Sequence, residues 1–310
     1  MLGSLWSSMP GAVELGLLYA LMALGVYITF RILDFPDLTV DGSFTTGGAI
    51  AAVMITAGYS PWLATAAAFA GGLAAGALTG LLHTKGKING LLSGILMMIA
   101  LYSINLRIMG RPNVSLLGMD TIFPPIGKDD KWMLLLVIAA VILVIKLLLD
   151  AFLKTDLGLA LRATGDNAKM IGSFGANTDT TKIIGVSLSN GFVALSGALI
   201  AQQGGFADIS MGIGMIVIGL ASVIIGEALF GAKTVFRATL AVVLGSIVYR
   251  IVVALALRVE WLESSDVKLI TAVIVIIALV VPTASRAWTE RKQAHKRSRE
   301  LAGTGSEAGR

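Results

Sequence analysis

Cysteine is absent from the 310 residues, which excludes a disulfide framework and any thiolate metal site and leaves the redox compartment unreadable. Histidine is nearly absent. His83 and His295 are the only two, and both fall outside the long apolar runs, so the sequence offers no imidazole centre at membrane depth. Charge is scarce as well: Asp, Glu, Lys and Arg make up 14%, against about 25% in ordinary soluble domains. A water-soluble globular class is thereby excluded. There is no G-x-x-x-x-G-K-[ST] phosphate cradle, and no G-x-S-x-G, H-E-x-x-H or paired intramembrane aspartates. The chain is therefore expected to be no enzyme, with no catalytic residue, no metal and no cofactor of its own. The first residues, "MLGSLWSSMPG", lack the basic start and small-residue cleavage site of a secretory signal, and the N-terminus is expected to be retained.

What is present in quantity is hydrophobic sequence, 56% of the chain. About 20 consecutive apolar residues cross a bilayer as a helix, and only helices or closed barrels satisfy their backbone there. The runs are continuous rather than alternating, so the expected fold is all-α: a polytopic bundle of about nine spans. These fall near 12–30, 43–59, 61–82, 88–106, 132–153, 182–202, 212–229, 235–257 and 268–286. A membrane domain over 1–286 is then followed by a basic tail over 287–310. With that tail placed in the cytoplasm, the inward connections hold sixteen Lys and Arg and the outward ones six, the positive-inside pattern. An odd number of spans puts the N-terminus outside. The net charge of +5 sits largely in "RAWTERKQAHKRSRE", and a basic segment beside a span reads as an anchor on anionic lipid, not a nucleic-acid site. The outward stretch "MGRPNVSLLGMDTIFPPIGKDDKW" is too polar and proline-rich to span and is expected to form a small external cap.

The longest inward connection reads "KTDLGLALRATGDNAKMIGSFGANTDTTK". Helix formers interrupted by Gly165-Asp166-Asn167 predict a helix, a turn, and a short helix from Asp166 to Phe174 stopped by Gly175. Asp166 or Asn167 can cap it, while Met170, Ile171 and Phe174 share one side. Such a knob fits a partner's groove, or packs back onto the bundle.

"GLALRATGDNAKMIGSFGANTDTTKIIGVSLSNGFVALSGALIAQQGG" resembles the coupling-helix region of bacterial ABC importer permeases of the branched-chain amino acid and ribose permease superfamily. Arg162, Asp166, Ala168, Gly175, Asn177, Thr178 and Lys182 carry the likeness, and "ITFRILDFPDLTVDGSFTTGGAIAA" occupies the place of a break found in relatives. The nearest subgroup resembles uptake systems for aromatic or other amino acids. The resemblance implies a non-catalytic inner-membrane subunit that works with a second permease, identical or paralogous, two cytoplasmic ABC ATPases and an extracytoplasmic binding protein. It also implies that the ATPase is coupled through Arg162, Gly165, Asp166, Asn167, Met170, Ile171, Phe174 and Gly175. A proton- or sodium-coupled transporter is the alternative; it would need a carboxylate deep in the bundle, and Glu14 lies near a span end.

The stretch "ILDFPDLTVDGSF" from Ile32 joins the first two spans with Asp34, Asp37, Asp41, Pro36 and Gly42. Pro36 disfavours helix at Phe35, so a broken second span is expected, with Asp41 or Ser43 capping it. Exposed half-helix N-termini attract carboxylates. "FPDLTV" (35–40) is echoed by "FADISM" (206–211) on the other side, as an inverted repeat would show. Small-residue stretches at 71–80 and 189–199 are read as packing surfaces or as part of a path. The candidate path residues are Asp37, Thr39, Asp41, Ser43, Tyr102, Asn105, Asn190, Gln202 and Gln203, each equally readable as an interhelical hydrogen bond. Glu14 and Arg250 match in depth, Lys146 is expected to snorkel to the interface, and Glu227 is expected in an inward turn as a solvated carboxylate.

Overall fold

A computed structural model describes residues 2–123 and 131–256, with isolated positions between 269 and 280. The expected ninth span and the basic tail lie outside the described residues, apart from those isolated positions. Nine α-helices occur among the described residues: α1 (Leu2–Val26), α2 (Thr39–Thr56), α3 (Pro61–Thr84), α4 (Gly90–Met109), α5 (Lys131–Phe152), α6 (Asp156–Ser173), α7 (Thr178–Gly204), α8 (Met215–Phe230) and α9 (Val235–Ala256). Among the described residues, six helical segments are long and apolar enough to cross a membrane. Two further helices at expected spans, α2 and α8, are shorter, and each starts after an irregular segment.

The all-α expectation omits one feature. Strands β1 (Asn113–Ser115) and β2 (Phe206–Asp208) pair antiparallel, with Val114 opposite Ala207. They form a ribbon over the end of the bundle where α4 and α7 finish, each stopped by a glycine in the left-handed region, Gly110 and Gly205.

α1 and α7 form the centre, and small residues set how closely the other helices approach. A Cβ on Gly72, Gly76 or Gly80 of α3 would lie 2.4–2.8 Å from α7 atoms, including the Asn190 and Val186 carbonyls. A Cβ on Gly47 of α2 would meet the Ala194 carbonyl at 1.9 Å, and one on Gly197 the Phe44 carbonyl at 2.0 Å. The small-residue stretch of α3 is thus a packing surface, the use expected of small-xxx-small spacing in lipid. Serines then bolt helix to helix: Ser189 donates to the Gly25 carbonyl at 2.7 Å, Ser196 to Leu18 at 2.8 Å, Ser246 to Gly16 at 2.8 Å and Ser187 to Leu73 at 2.7 Å. Each such bond stabilises by about 0.6 kcal/mol.

Candidate functional site

The first span ends abnormally. Residues Tyr27–Ile32 widen into a π-helical turn, Leu33 N–H bonds the Ile28 carbonyl at 3.0 Å, and Phe35 N–H reaches back to Thr29 at 2.9 Å. Asp34 takes a positive φ of 50°, a region that Asp tolerates better than most residues. The break therefore lies ahead of the second span, over residues 33–38, and α2 starts at Thr39 rather than near 43. Its start is held by Asp37, whose Oδ1 accepts the Thr39 N–H at 2.9 Å. Asp37 Oδ2 accepts from Asn190 Nδ2 at 2.6 Å, tying the break to the middle of α7, and the Thr39 hydroxyl meets that of Thr79 at 2.8 Å.

Asp41 does not cap its own helix. Its two oxygens accept from the backbone N–H groups of Gly214 at 2.8 Å and Ile216 at 2.9 Å, so a carboxylate on α2 caps the start of α8. The chain dips from the ribbon into the bundle over residues 209–214, and Gly212 N–H donates to the Thr45 hydroxyl at 3.1 Å. From there α2 and α8 run apart, start to start. Irregular backbone at membrane depth requires internal partners; the start of α2 supplies them for the break before α8, while the break at 33–38 is satisfied by Ile28, Thr29 and Asn190.

The echoed motifs share a local geometry. Asp208 Oδ1 accepts the Ser210 N–H at 2.8 Å, the same two-residue turn that Asp37 makes with Thr39. The Ser210 hydroxyl bonds the same carboxylate, and this bond above all holds the Asp208 carboxyl below the usual carboxylate range. A group depressed in the folded protein stabilises it above its unfolded pKa and loses that contribution as pH falls through the folded value. The turn at 208–210 is therefore expected to survive mild acid. In Ser210→Ala it should open at higher pH, as seen by exchange of the residue-210 amide.

The inward connection folds as two helical pieces. α6 is interrupted at Asn167 (φ −160°, ψ 90°), whose side chain accepts the Met170 N–H at 3.0 Å; of the two candidate caps, Asn167 is the one used. Gly175, at φ 86°, follows the second piece, with Ala176 N–H returning to the Ile171 carbonyl at 3.4 Å. The first piece is the docked one. Leu161 is buried among hydrophobic core residues, and a Cβ on Gly165 would lie 1.8 Å from the Ile32 carbonyl. In the second piece Met170 is 49% and Phe174 79% exposed, Ile171 is half-buried, and Arg162, Asp166, Asn167 and Gly175 are exposed. Gly165 thus packs closely against the end of the first span. Gly165→Val is expected to destabilise by about 1–3 kcal/mol through overpacking, measured as a lowered thermal midpoint that Gly165→Ala approaches only in part.

The candidate path residues separate into two groups. Asp37, Thr39, Ser43, Asn105, Asn190 and Gln202 are all buried. Asn105 Nδ2 donates to the Gly42 carbonyl at 3.2 Å. Gln202 bridges the Thr65 hydroxyl (2.8 Å) and the Ile122 N–H (3.1 Å). Gln203 donates to Glu14 at 3.4 Å. Tyr102 is 51% exposed on α4, while Asp41 and Gln203 are half-buried.

Lys146 does not snorkel. It is 1% exposed, 2.5 Å from Asp150 and 3.2 Å from the centre of the Phe236 ring, and Asp150 also accepts from the Thr239 hydroxyl at 2.6 Å. Sequence reading missed Asp150, although its four-residue offset from Lys146 was the available signal. Arg250 lies over the Tyr19 ring at 4.0 Å. Glu227 lies within α8, not in a turn, and accepts from Arg31 at 3.1 Å. That ion pair has an exposed arginine and is worth about 0–1 kcal/mol.

A multi-pass helical bundle with two breaks, one capped by a carboxylate from the helix that follows the other, and a kinked helix packed on the end of the first span, is the architecture of a membrane permease subunit. The chain belongs to the family "Branched-chain amino acid transport system / permease component", whose family model matches residues 11–280. It is 48% identical over 263 residues to the tyrosine transport system permease protein of Clostridioides difficile (strain R20291), covering 85% of this chain and 87% of that protein. It is 41% identical over 184 residues to the uncharacterized protein RP368 of Rickettsia prowazekii (strain Madrid E), covering 59% and 64%. Its fold is similar to a chain of PsaBC from Streptococcus pneumoniae in complex with Fab, with TM-score 0.53 at 11% identity over 91% of this chain and 96% of that one.

Proposed function

We propose that this chain is the permease subunit of an ATP-driven importer that carries an amino acid, aromatic in the first instance, across a bacterial inner membrane. Support for the substrate class comes from the family description and the relative's name. In this reading a second permease copy or paralogue, two cytoplasmic ABC ATPases and an extracytoplasmic binding protein complete the machine. The N-terminus lies outside, α6 and the basic tail lie in the cytoplasm, and residues 1–286 form one membrane domain. The path follows the α4 face bearing Tyr102, between the two permease subunits, and the buried group from Asp37 to Gln202 holds the spans beside it in register.

The observation that carries this reading is the exposed Met170 and Phe174 pair on a short helix whose base bears on the end of the first span. An ATPase closing on that pair pushes α6 against Ile32 and Leu33, and hence against the break that Asp37 ties to α7. Met170→Ala with Phe174→Ala removes two apolar anchors of the kind that each contribute about 2 kcal/mol or more to an interface. Reconstituted with its ATPase, the double variant is expected to lose at least about tenfold in uptake of labelled tyrosine while keeping its thermal midpoint and basal ATP hydrolysis. Unchanged uptake would refute the coupling role; uptake of branched-chain but not aromatic amino acids would refute the substrate class alone.

A further inference from the structure

α5 leaves an apolar groove beside α3, with α7 as its floor. Toward the ribbon end the groove holds about 540 Å³ and is lined by Trp62, Phe123, Met133, Ile142, Leu195 and Leu199 among others. Toward the α6 end it holds about 390 Å³, between Leu73 of α3, Leu148 and Phe152 of α5, and Ile183, Ile184 and Leu188 of α7. Phe192, edge-on to Phe69 at 6.0 Å, lines the α6-end half. The Ser187 hydroxyl at the wall is already spent on the Leu73 carbonyl. An apolar space of this kind holds no water, and at membrane depth the medium that fills it is hydrocarbon.

The α6 end of the groove is charged. Lys154 follows α5 two residues after Phe152, and Lys182 precedes Ile183, with its Nζ 3.5 Å from His83 Nε2 at the end of α3. Asp179 beside them is engaged by Lys85 at 3.6 Å, and Asp156 is exposed beyond the mouth. Neither Lys154 nor Lys182 has a carboxylate partner among the described residues. Their chemistry is that of an intramembrane slot with a basic mouth, which suits an anionic headgroup.

The walls of the groove are apolar and its mouth is basic, the division that suits an anionic lipid with its acyl chain inside and its headgroup at the mouth. We propose that the groove is a specific site for an anionic phospholipid, with an acyl chain along α7 and the phosphate between Lys154 and Lys182. The lipid takes the place of side-chain packing that α3 and α5 lack, and it fixes the spacing of α5 from the bundle just above the α6 lever. The site stands whether or not the importer reading does, since lipid retention is measured on the permease alone.

The test is native mass spectrometry of the full chain, stripped of lipid in detergent and then offered phosphatidylglycerol or phosphatidylcholine of the same acyl composition. Wild type is expected to retain phosphatidylglycerol about tenfold better. Lys154→Gln with Lys182→Gln should bind the two lipids alike, and Ile184→Trp, which fills the α6-end half, should bind neither. If Ile184→Trp does not fold, Leu148→Trp is measured instead. Equal retention of both lipids by wild type, selectivity surviving loss of both lysines, retention surviving a filled groove, or a polypeptide occupying it would each overturn the proposal.

Discussion

Asp41→Ala is expected to release the start of α8 and lower stability by roughly 3–6 kcal/mol, since two charge-assisted hydrogen bonds are each worth about 1.5–3 kcal/mol. The first N–H groups of any helix lack intrahelical acceptors, and at the start of α8 the protein itself must provide them. Asp41 does so with both oxygens, for Gly214 and Ile216, and its negative charge also faces the positive end of the α8 dipole. Without it, two amides are left unsatisfied in a membrane interior. Such a loss is a large fraction of the 5–15 kcal/mol that typically separates folded from unfolded domains. Asp41→Asn keeps one acceptor oxygen, so its loss should be about half as large. Thermal unfolding in lipid nanodiscs reads the difference, and a midpoint for Asp41→Ala within a degree or two of wild type would show that α8 does not depend on this carboxylate.

The second large effect belongs to the buried ion pair. Asp150→Ala strips Lys146 of its counter-charge and leaves it against the Phe236 ring alone, at an expected cost of about 3–5 kcal/mol. Lys146→Met combined with Asp150→Leu should recover most of that loss, because a packed apolar pair needs no compensation. Thr239→Val, which removes the 2.6 Å hydrogen bond to Asp150 together with the longer contacts of the hydroxyl to the Val235 and Phe236 carbonyls, should cost about 1–3 kcal/mol. A double-mutant cycle measures the coupling. If Asp150→Ala were as stable as the double variant, Lys146 would be finding another partner, and the pair would not hold α5 to α9.

The fold class and the positions of most spans were legible because hydrocarbon imposes a length and a composition that no tertiary contact can relax. The kinked helix α6 was legible for a different reason. Gly165-Asp166-Asn167 and Gly175 are local stop and start signals, and a polar connecting helix obeys local rules: the Asn167 side chain caps the very next turn. The break at 33–38 was legible too, since Pro36 and the clustered aspartates cannot continue a lipid-embedded helix.

What each aspartate of that break does was not legible. Asp41 was expected to cap the helix that carries it, and instead caps a helix 173 residues further along the chain. Lys146 was expected at the interface but lies in the core, and Asp150 drew no notice at all. The ribbon escaped because three-residue strands leave no period-two pattern to detect. The sequence by itself determined that this chain spans a membrane, where it must break and where a long polar connection must fold, because those follow from backbone hydrogen bonding and the thickness of a bilayer. Only the tertiary structure decided which buried charge meets which orphaned amide, because partners so distant in sequence are chosen by packing and leave no local trace.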